Sequence, residues 1–307
     1  MNGVLLGFVT IGAVIAVGML LAHTRVLDLG AQRTLTDVAF FVASPALMLT
    51  TLARADVGAV LTRNLLATVA GVVVAGGAYV AAARLVWHRD TGHTTVGALC
   101  SAYVNAGNLG IPIAAYVLGD AALVAPTLLL QLVVLQPVAL AVLDADRHAG
   151  AAGWRRTLTR PVRNPLTVGS LLGVLLAVTG MRLPDLLEAP LHLVGNLAVP
   201  AMLIAYGVAL RLGPRPGRAG SVPELVTTSV LKVLVQPVVA WFVADVLLGV
   251  HGHALLAIVV TSALPTAQNV FVHATRYQRA TVLARDTILI TTASAVPVIV
   301  VATLLLH

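Results

Sequence analysis

The chain has 307 residues, of which 59% are hydrophobic and only 10% are charged, and its formal net charge is +7. Soluble domains contain about 45–50% apolar and about 25% charged residues, so this composition excludes a cytosolic enzyme, a nucleic-acid-binding module and a disordered regulator. The basic residues lie between apolar runs, where orientation in a membrane explains them better than contact with nucleic acid. The sequence therefore predicts an all-α membrane protein whose main partner is the lipid bilayer and which has no nucleic-acid partner.

Ten apolar runs approach the roughly 20 residues that a transmembrane helix needs. In chain order the predicted spans are 3–22, 35–53, 64–87, 95–118, 121–143, 165–181, 191–210, 224–248, 254–275 and 284–306. The odd-numbered connections between these spans carry 15 arginines and the even-numbered connections carry 3. The positive-inside rule then places the odd connections in the cytoplasm. We predict a multi-pass protein of the cytoplasmic (inner) membrane with both termini outside.

Short sequence matches relate the two halves of the chain. At offsets between 153 and 161 residues, 12–19 resembles 173–181, Pro45 matches Pro200, Pro112 matches Pro265, and Pro137 matches Pro297. Because each half has five spans, the second half enters the membrane from the opposite side, which is the inverted-repeat plan of secondary transporters. We predict a first repeat over 1–143, a cytoplasmic linker over 144–163 and a second repeat over 164–307.

Spans 4 and 9 contain helix-breaking residues near their centres. Glycines, asparagines and a proline crowd 105–112, and a proline precedes polar residues at 265–269. Such residues can simply kink membrane helices or bond neighbouring helices, but their equivalent positions in the two halves favour a pair of crossed, broken helices that expose backbone groups to a ligand. The predicted substrate-binding residues are Asn105, Gly107, Asn108, Gly110, Pro112, Pro265, Thr266, Gln268 and Asn269, together with Lys232 of span 8.

Other polar residues within or near the spans have two interpretations each. Lys232 either has a functional role, balancing an acidic substrate or bonding the polar groups of the crossover, or only extends its ammonium towards the membrane surface. Gln131, Gln136 and Gln236 are expected to satisfy carbonyls freed by nearby prolines rather than to bind substrate. His273 is considered as a proton relay, and His251 with His253 as a solvated external pair. The sequence predicts no catalytic residue, metal site or cofactor.

The residues of spans 4, 6, 7 and 9 carry a family resemblance. The sequence at 105–112, the Asn164-Pro165 pair, Pro200 with Gly207, and Leu264-Pro265-Thr266 followed by Asn269, Ala274 and Tyr277 resemble the auxin efflux carrier family. The resemblance covers essentially the whole chain. By position, Asn105, Asn108 and Pro112 match the family's crossover in span 4, and Pro265 and Asn269 match the one in span 9.

The resemblance implies ten helices with outside termini and two inverted five-helix repeats, a plan shared with sodium/proton antiporters. It further implies a scaffold of helices 1, 2, 6 and 7, a transport domain of helices 3, 4, 5, 8, 9 and 10 with broken crossover helices 4 and 9, an elevator-like movement, and often a homodimer. The long hydrophilic loop of many plant members is absent here, so regulation through that loop is not implied.

The leading functional hypothesis is a secondary transporter, an efflux carrier or permease, for a small organic anion such as a carboxylate or an auxin-like acid. An intramembrane enzyme is disfavoured because no protease signature such as Gly-x-Gly-Asp or His-Glu-x-x-His occurs. A cation/proton antiporter or a sodium-coupled symporter of the same fold class normally needs a carboxylate at the crossover, where this sequence has amides. Without that carboxylate the simplest expectation is electrogenic efflux of a monoanion, unless His273 or Lys232 carries a proton.

Overall fold

The structure, a computed structural model, describes residues 2–54, 63–147, 164–181, 183–215, 217–218 and 220–306. These residues are almost entirely helical, and the β pairing among them is a single isolated bridge between Val104 and Thr266. In chain order the helices are α1 (Asn2–His23), α2 (Leu29–Ala53), α3 (Arg63–Leu85), α4 (Thr91–Ala102), α5 (106–117), α6 (Ala125–Arg147), α7 (Pro165–Thr179), α8 (Leu186–Leu212), α9 (Val222–Leu247), α10 (Gly252–Ser262), α11 (Asn269–Tyr277) and α12 (Thr281–Leu306).

Six of the described helices, α2, α3, α6, α8, α9 and α12, are long and apolar enough to cross a membrane. The segment Val9–His23 of α1, together with α7 (Pro165–Thr179) and α10 (Gly252–Ser262), is shorter but also apolar. These findings make the chain a helical membrane protein, as the composition predicts. Of the predicted linker over 144–163, only 144–147 lie among the described residues, where they end α6.

Polar residues just outside the apolar runs set where several helices begin. Asp28 and Asp90 cap α2 and α4 by accepting the backbone N–H groups of Ala31 (2.7 Å) and His93 (2.9 Å). Asn164 caps α7 in the same way. Such caps satisfy N–H groups that have no partner within the helix. α2 and α4 consequently begin several residues before the predicted spans 35–53 and 95–118, because hydropathy alone does not detect a polar first turn.

Prolines widen three of the long helices. Pro45, Pro137 and Pro237 each follow a π-helical turn by two residues, the turns being Ala39–Ala43, Leu130–Leu135 and Leu231–Val235. Proline lacks an N–H and its ring clashes with the carbonyl four residues earlier, so the wider turn relieves the clash. Each π turn also changes the direction in which the following side chains project.

Glycines bring two pairs of helices into close contact. α1 packs along α8, and α2 packs along α7. A Cβ atom at Gly18 of α1 would overlap the backbone of Ile204 in α8, and one at Gly169 of α7 would overlap the backbone of Pro45 in α2. Small residues permit this approach in membranes, where helix association depends on van der Waals packing. These four helices therefore form a tightly packed group beside the interrupted helices.

Candidate functional site at the helix crossover

Two short extended segments cross where the helices are interrupted. Residues 103–105 separate α4 from α5, and residues 263–268 separate α10 from α11. The N–H of Asn105 donates to the carbonyl of Pro265 (2.8 Å), and the N–H of Ala267 donates to the carbonyl of Tyr103 (3.1 Å). The two segments run antiparallel and satisfy each other's backbone groups, which would otherwise lie unpaired inside the protein.

Side chains fasten the crossing segments to each other and to their neighbours. Asn105 Nδ2 donates to Gln268 Oε1 (2.6 Å), and Asn105 Oδ1 accepts the N–H of Asn108 (3.3 Å). Thr266, which is completely buried, donates its hydroxyl to the Cys100 carbonyl (2.6 Å). The crossover is therefore a bonded unit rather than a loose break in two helices.

On one side of the crossover lies a group of buried residues that we call the closed face, consisting of Lys232, Gln236, Ser262 and Ala102. Lys232 Nζ donates to Gln236 Oε1 (2.8 Å) and to the Ser262 carbonyl (3.0 Å). Gln236 Nε2 donates to the Ala102 carbonyl (3.1 Å). Ala102 and Ser262 are the last residues of α4 and α10, where helix dipoles are negative. Lys232 therefore bonds the carbonyl end of α10 directly, and Gln236 links it to the carbonyl end of α4.

On the other side lies a cavity of about 230 Å³. We call its polar wall the cavity face, which consists of Tyr103, Asn105, Gly107, Asn108, Gln131, Gln136, Gln268, Asn269 and His273. The opposite wall comes mainly from α2, α7 and α8 and is largely apolar, with Leu47, Met48, Leu166, Val199 and Met202. A ligand here would meet amides on one side and an apolar surface on the other.

Several polar atoms of the cavity face have no hydrogen-bond partner within the described protein. They are Gln131 Oε1, Gln268 Nε2, Asn269 Oδ1 and both ring nitrogens of His273. In contrast, Gln136 Oε1 accepts from Tyr103 Oη (3.2 Å) and from Asn269 Nδ2 (3.3 Å). Buried polar groups are normally paired, and unpaired ones call for a bound molecule or water. The unpaired atoms include both donors and acceptors.

The structure places half of the predicted site residues on the cavity face. Asn105, Gly107, Asn108, Gln268 and Asn269 line the cavity. The backbone of Pro112 lies in the first turn of the helix Ile111–Val117.

The other predicted residues lie away from the cavity. Pro265 and Thr266 hold the crossing segments together, and Lys232 belongs to the closed face. Gly110 packs closely, since a Cβ there would lie 2.8 Å from Val124 and 3.0 Å from Leu264. These four residues shape and stabilise the crossover and do not face its cavity.

The cavity face also contains four residues that are not among the predicted substrate-binding residues, namely Tyr103, Gln131, Gln136 and His273. The sequence suggests other roles for the two glutamines and the histidine, and no role for Tyr103. Gln136 was expected to satisfy a carbonyl freed by Pro137, whereas it bonds Tyr103 and Asn269. Gln236 does bond a carbonyl, but this carbonyl belongs to the broken end of α4. The Gln-Pro pairs at 136–137 and 236–237 were the signal that both glutamines serve the crossover.

The start of α4 carries an electrostatic anchor outside the apolar part of the helix. Asp90 caps the helix, and Arg279 Nε lies 3.8 Å from Asp90 Oδ1 and 3.0 Å from Asp146 Oδ2. Partial burial alone would raise the pKa of Asp90, but the bond from the His93 N–H and the Arg279 guanidinium outweigh it and hold this pKa below its usual range. The anchor ties α4 to the ends of α6 and α11.

Comparison with known proteins identifies the family of the chain. The family model described as "membrane transport protein" matches residues 5–144 and 154–303, which is nearly the whole chain. No curated protein matches the chain. The members of this family are transporters rather than enzymes. The chain belongs to the membrane transport protein family that includes the auxin efflux carriers.

Proposed function

We propose that the chain is a secondary transporter that moves a small organic anion, a carboxylate or an auxin-like acid, through the crossover by elevator-type alternating access. The observation that carries this proposal is the cavity between the crossover and the apolar wall, with its unpaired amide atoms. The cavity volume of about 230 Å³ lies below the range of about 300–1,000 Å³ that is typical of pockets for drug-sized ligands. This suits a small acid with an apolar body rather than a drug-sized molecule.

The distribution of charge favours an anion over a cation. No Asp or Glu lines the cavity among the described residues, and a cation site at this depth normally needs one. Lys232 and Gln236 bond the negative ends of α10 and α4, whereas α11 begins with Asn269 at the cavity. Helix N-termini attract anions. This arrangement disfavours the alternative of a cation/proton antiporter or sodium-coupled symporter of the same fold class.

The packing supports a division into scaffold and transport domain within ten spans. The pairs α1 with α8 and α2 with α7 correspond to predicted spans 1 with 7 and 2 with 6, and a two-fold inverted repeat exchanges one pair for the other. Both pairs use glycine contacts. The cavity lies between this group and the interrupted helices, as an elevator requires. In this proposal spans 1, 2, 6 and 7 form the scaffold, and both termini lie outside the inner membrane.

The outer surface of α7 is apolar, with Leu171, Leu172, Leu175 and Val178 exposed. In the membrane this surface contacts lipid or a second copy of the chain, and a homodimer through the scaffold is part of the proposal.

Currents on a solid-supported membrane test this function. Reconstituted protein receives concentration jumps of malonate or malate, each of which carries two negative charges near neutral pH, while sodium and pH gradients are varied separately. We expect carboxylate-induced charge movement in the wild type that is lost in Asn269→Ala. Asn196→Ala removes an exposed amide in the turn within α8 and serves as the matched control, which should retain the signal. Equal responses from Asn269→Ala and the control would contradict a site at the crossover.

A further inference from the structure

One polar side chain of the cavity face is both deeply buried and titratable. His273 is 3% exposed, lines the cavity, and has no partner for either ring nitrogen within the described protein. It follows Asn269 by four residues on α11, so both side chains project from one face of the helix, about 6 Å apart along its axis. The ring contacts Phe40 edge to face, with centroids 6.1 Å apart. The imidazole is therefore fixed by packing while its nitrogens are left for a ligand.

Charged groups on two of the helices around His273 bond residues other than the histidine. On α6, Asp144 accepts from Tyr277 Oη (2.7 Å). On α12, Arg285 Nε donates to Asp286 Oδ1 (2.7 Å). No salt bridge to His273 occurs among the described residues.

The remaining titratable groups nearby are also occupied. On α11 itself, the Arg276 guanidinium lies over the rings of Phe40 and Phe41 in α2. Tyr103, which follows α4, bonds Gln136, and Tyr206 of α8 donates to the Arg285 carbonyl. No hydrogen bond or salt bridge within the described protein therefore fixes the protonation state of the imidazole, and a charged ligand in the cavity would change it.

We propose that His273 is the proton-binding residue of the crossover: it takes up one proton when a carboxylate enters and pairs with that carboxylate as an imidazolium. The inference rests on the proposed function, because it needs an anion in the cavity. Burial disfavours a charged imidazole and a neighbouring anion favours it, so the proton and the anion stabilise each other. The proton comes from water, forms an N–H bond on the free ring nitrogen, and returns to water when the anion leaves.

The pairing has a consequence for transport. A bound monocarboxylate and the imidazolium carry no net charge together, so the loaded site crosses the membrane without moving charge. This is proton-coupled movement of the anion rather than the electrogenic efflux expected from the sequence. Linkage also requires that the apparent Kd for the carboxylate rise by up to about tenfold per pH unit wherever binding takes up one proton.

Titration calorimetry on the detergent-purified full chain measures the proton directly. Malonate, malate and indole-3-acetate are titrated at pH 7 in phosphate, HEPES and Tris buffers, and the slope of binding enthalpy against buffer ionisation enthalpy gives the number of protons taken up. We expect uptake approaching one proton per anion in the wild type, and none in His273→Gln, which keeps one donor and one acceptor. The exposed His253 provides the control His253→Gln, which should retain the wild-type slope.

The outcomes separate this inference from the proposed function. Carboxylate binding by the wild type with no proton uptake, or an unchanged slope in His273→Gln, overturns the role of His273 and leaves the anion site standing. No binding of any of the three acids overturns the proposed function and this inference with it. If His273→Gln does not fold, the wild-type slope and the pH dependence of the wild-type Kd still show whether binding of the anion takes up a proton, and no uptake overturns the inference.

Discussion

The two sides of the crossover use similar residues for opposite purposes. On the closed face, Lys232 and Gln236 bond each other and the last carbonyls of α4 and α10. On the cavity face, Gln268 and Asn269 each leave one side-chain atom without a partner in the described protein. The negative helix ends are thus bonded within the protein, whereas amides with unpaired atoms line the cavity. Substitutions on the closed face should therefore affect folding, and those on the cavity face should affect binding.

The largest expected effect is that of Lys232→Met, which keeps the apolar stem and removes the ammonium. The Ser262 carbonyl and Gln236 Oε1 lose their donor, and losing hydrogen bonds to a charged group costs about 1.5–3 kcal/mol. We expect a loss of roughly 3 kcal/mol in the free energy of unfolding, measured by thermal denaturation in detergent. Wild-type stability combined with lost carboxylate binding would instead place Lys232 in the binding site.

The next effect concerns ligand affinity. Asn108→Ala and Asn269→Ala remove amides from the cavity face, and each should weaken carboxylate binding by at least about tenfold, or ~1.4 kcal/mol, with little change in the stability of the empty protein. Equilibrium binding of malonate or indole-3-acetate measures this effect. Unchanged affinity in both variants would exclude the two amides from the site.

Two glycines three residues apart provide a matched pair for the same comparison. A Cβ at Gly110 would press on Val124 and Leu264, whereas a Cβ at Gly107 would meet nothing within 4 Å. We expect Gly110→Ala to cost about 1–2 kcal/mol of stability and Gly107→Ala to stay within about 0.5 kcal/mol. Thermal denaturation of both variants measures the difference, and equal midpoints would contradict the close packing assigned to Gly110.

The smallest effect is expected at the opposite end of α4 from the closed face. Asp90→Ala removes an N-cap and should cost about 1 kcal/mol at pH 7, while Asp90→Asn keeps the cap and should cost less. Because the pKa of Asp90 is lowered in the folded protein, the contribution of its charge is complete above the unfolded value of about 3.9 and is lost as the pH falls below it. Thermal denaturation between pH 3 and 7 should therefore show the difference between Asp90→Asn and the wild type narrowing at acid pH, whereas Asp90→Ala stays less stable because it lacks the cap.

The sequence predicted where the helices break but not which way each side chain points. The crowding of Gly, Asn and Pro at 105–112 and the proline at 265 located both interruptions, because these residues fit poorly in a continuous helix. Their pairing as antiparallel segments depends on contacts between distant parts of the chain, which a local pattern does not contain. The same limit applies to Lys232, for which bonding to polar groups of the crossover is one of the predicted roles, but whose individual partners, Gln236 and the Ser262 carbonyl, become evident only in the structure.

The π turns explain why the sequence does not reveal that Gln136 and Gln236 bond groups of the crossover. A π turn adds one residue, so side chains beyond it point about 100° away from where an uninterrupted period of 3.6 residues would place them. Gln136 and Gln236 come directly after such turns. Proline placement signals a disturbance of the helix, but the size of the resulting rotation becomes evident only in the structure.

Ligand-dependent thermal stabilisation tests most directly the claim that the two faces separate binding from folding. Wild type, Asn269→Ala and the control Asn196→Ala are unfolded in detergent with and without a carboxylate at saturating concentration, where binding at about 100 times Kd adds ~2.7 kcal/mol. We expect similar unfolding midpoints for all three proteins without ligand, and a ligand-induced rise of the midpoint in the wild type and Asn196→Ala alone. An equal rise in Asn269→Ala would contradict the assignment of carboxylate binding to the cavity face.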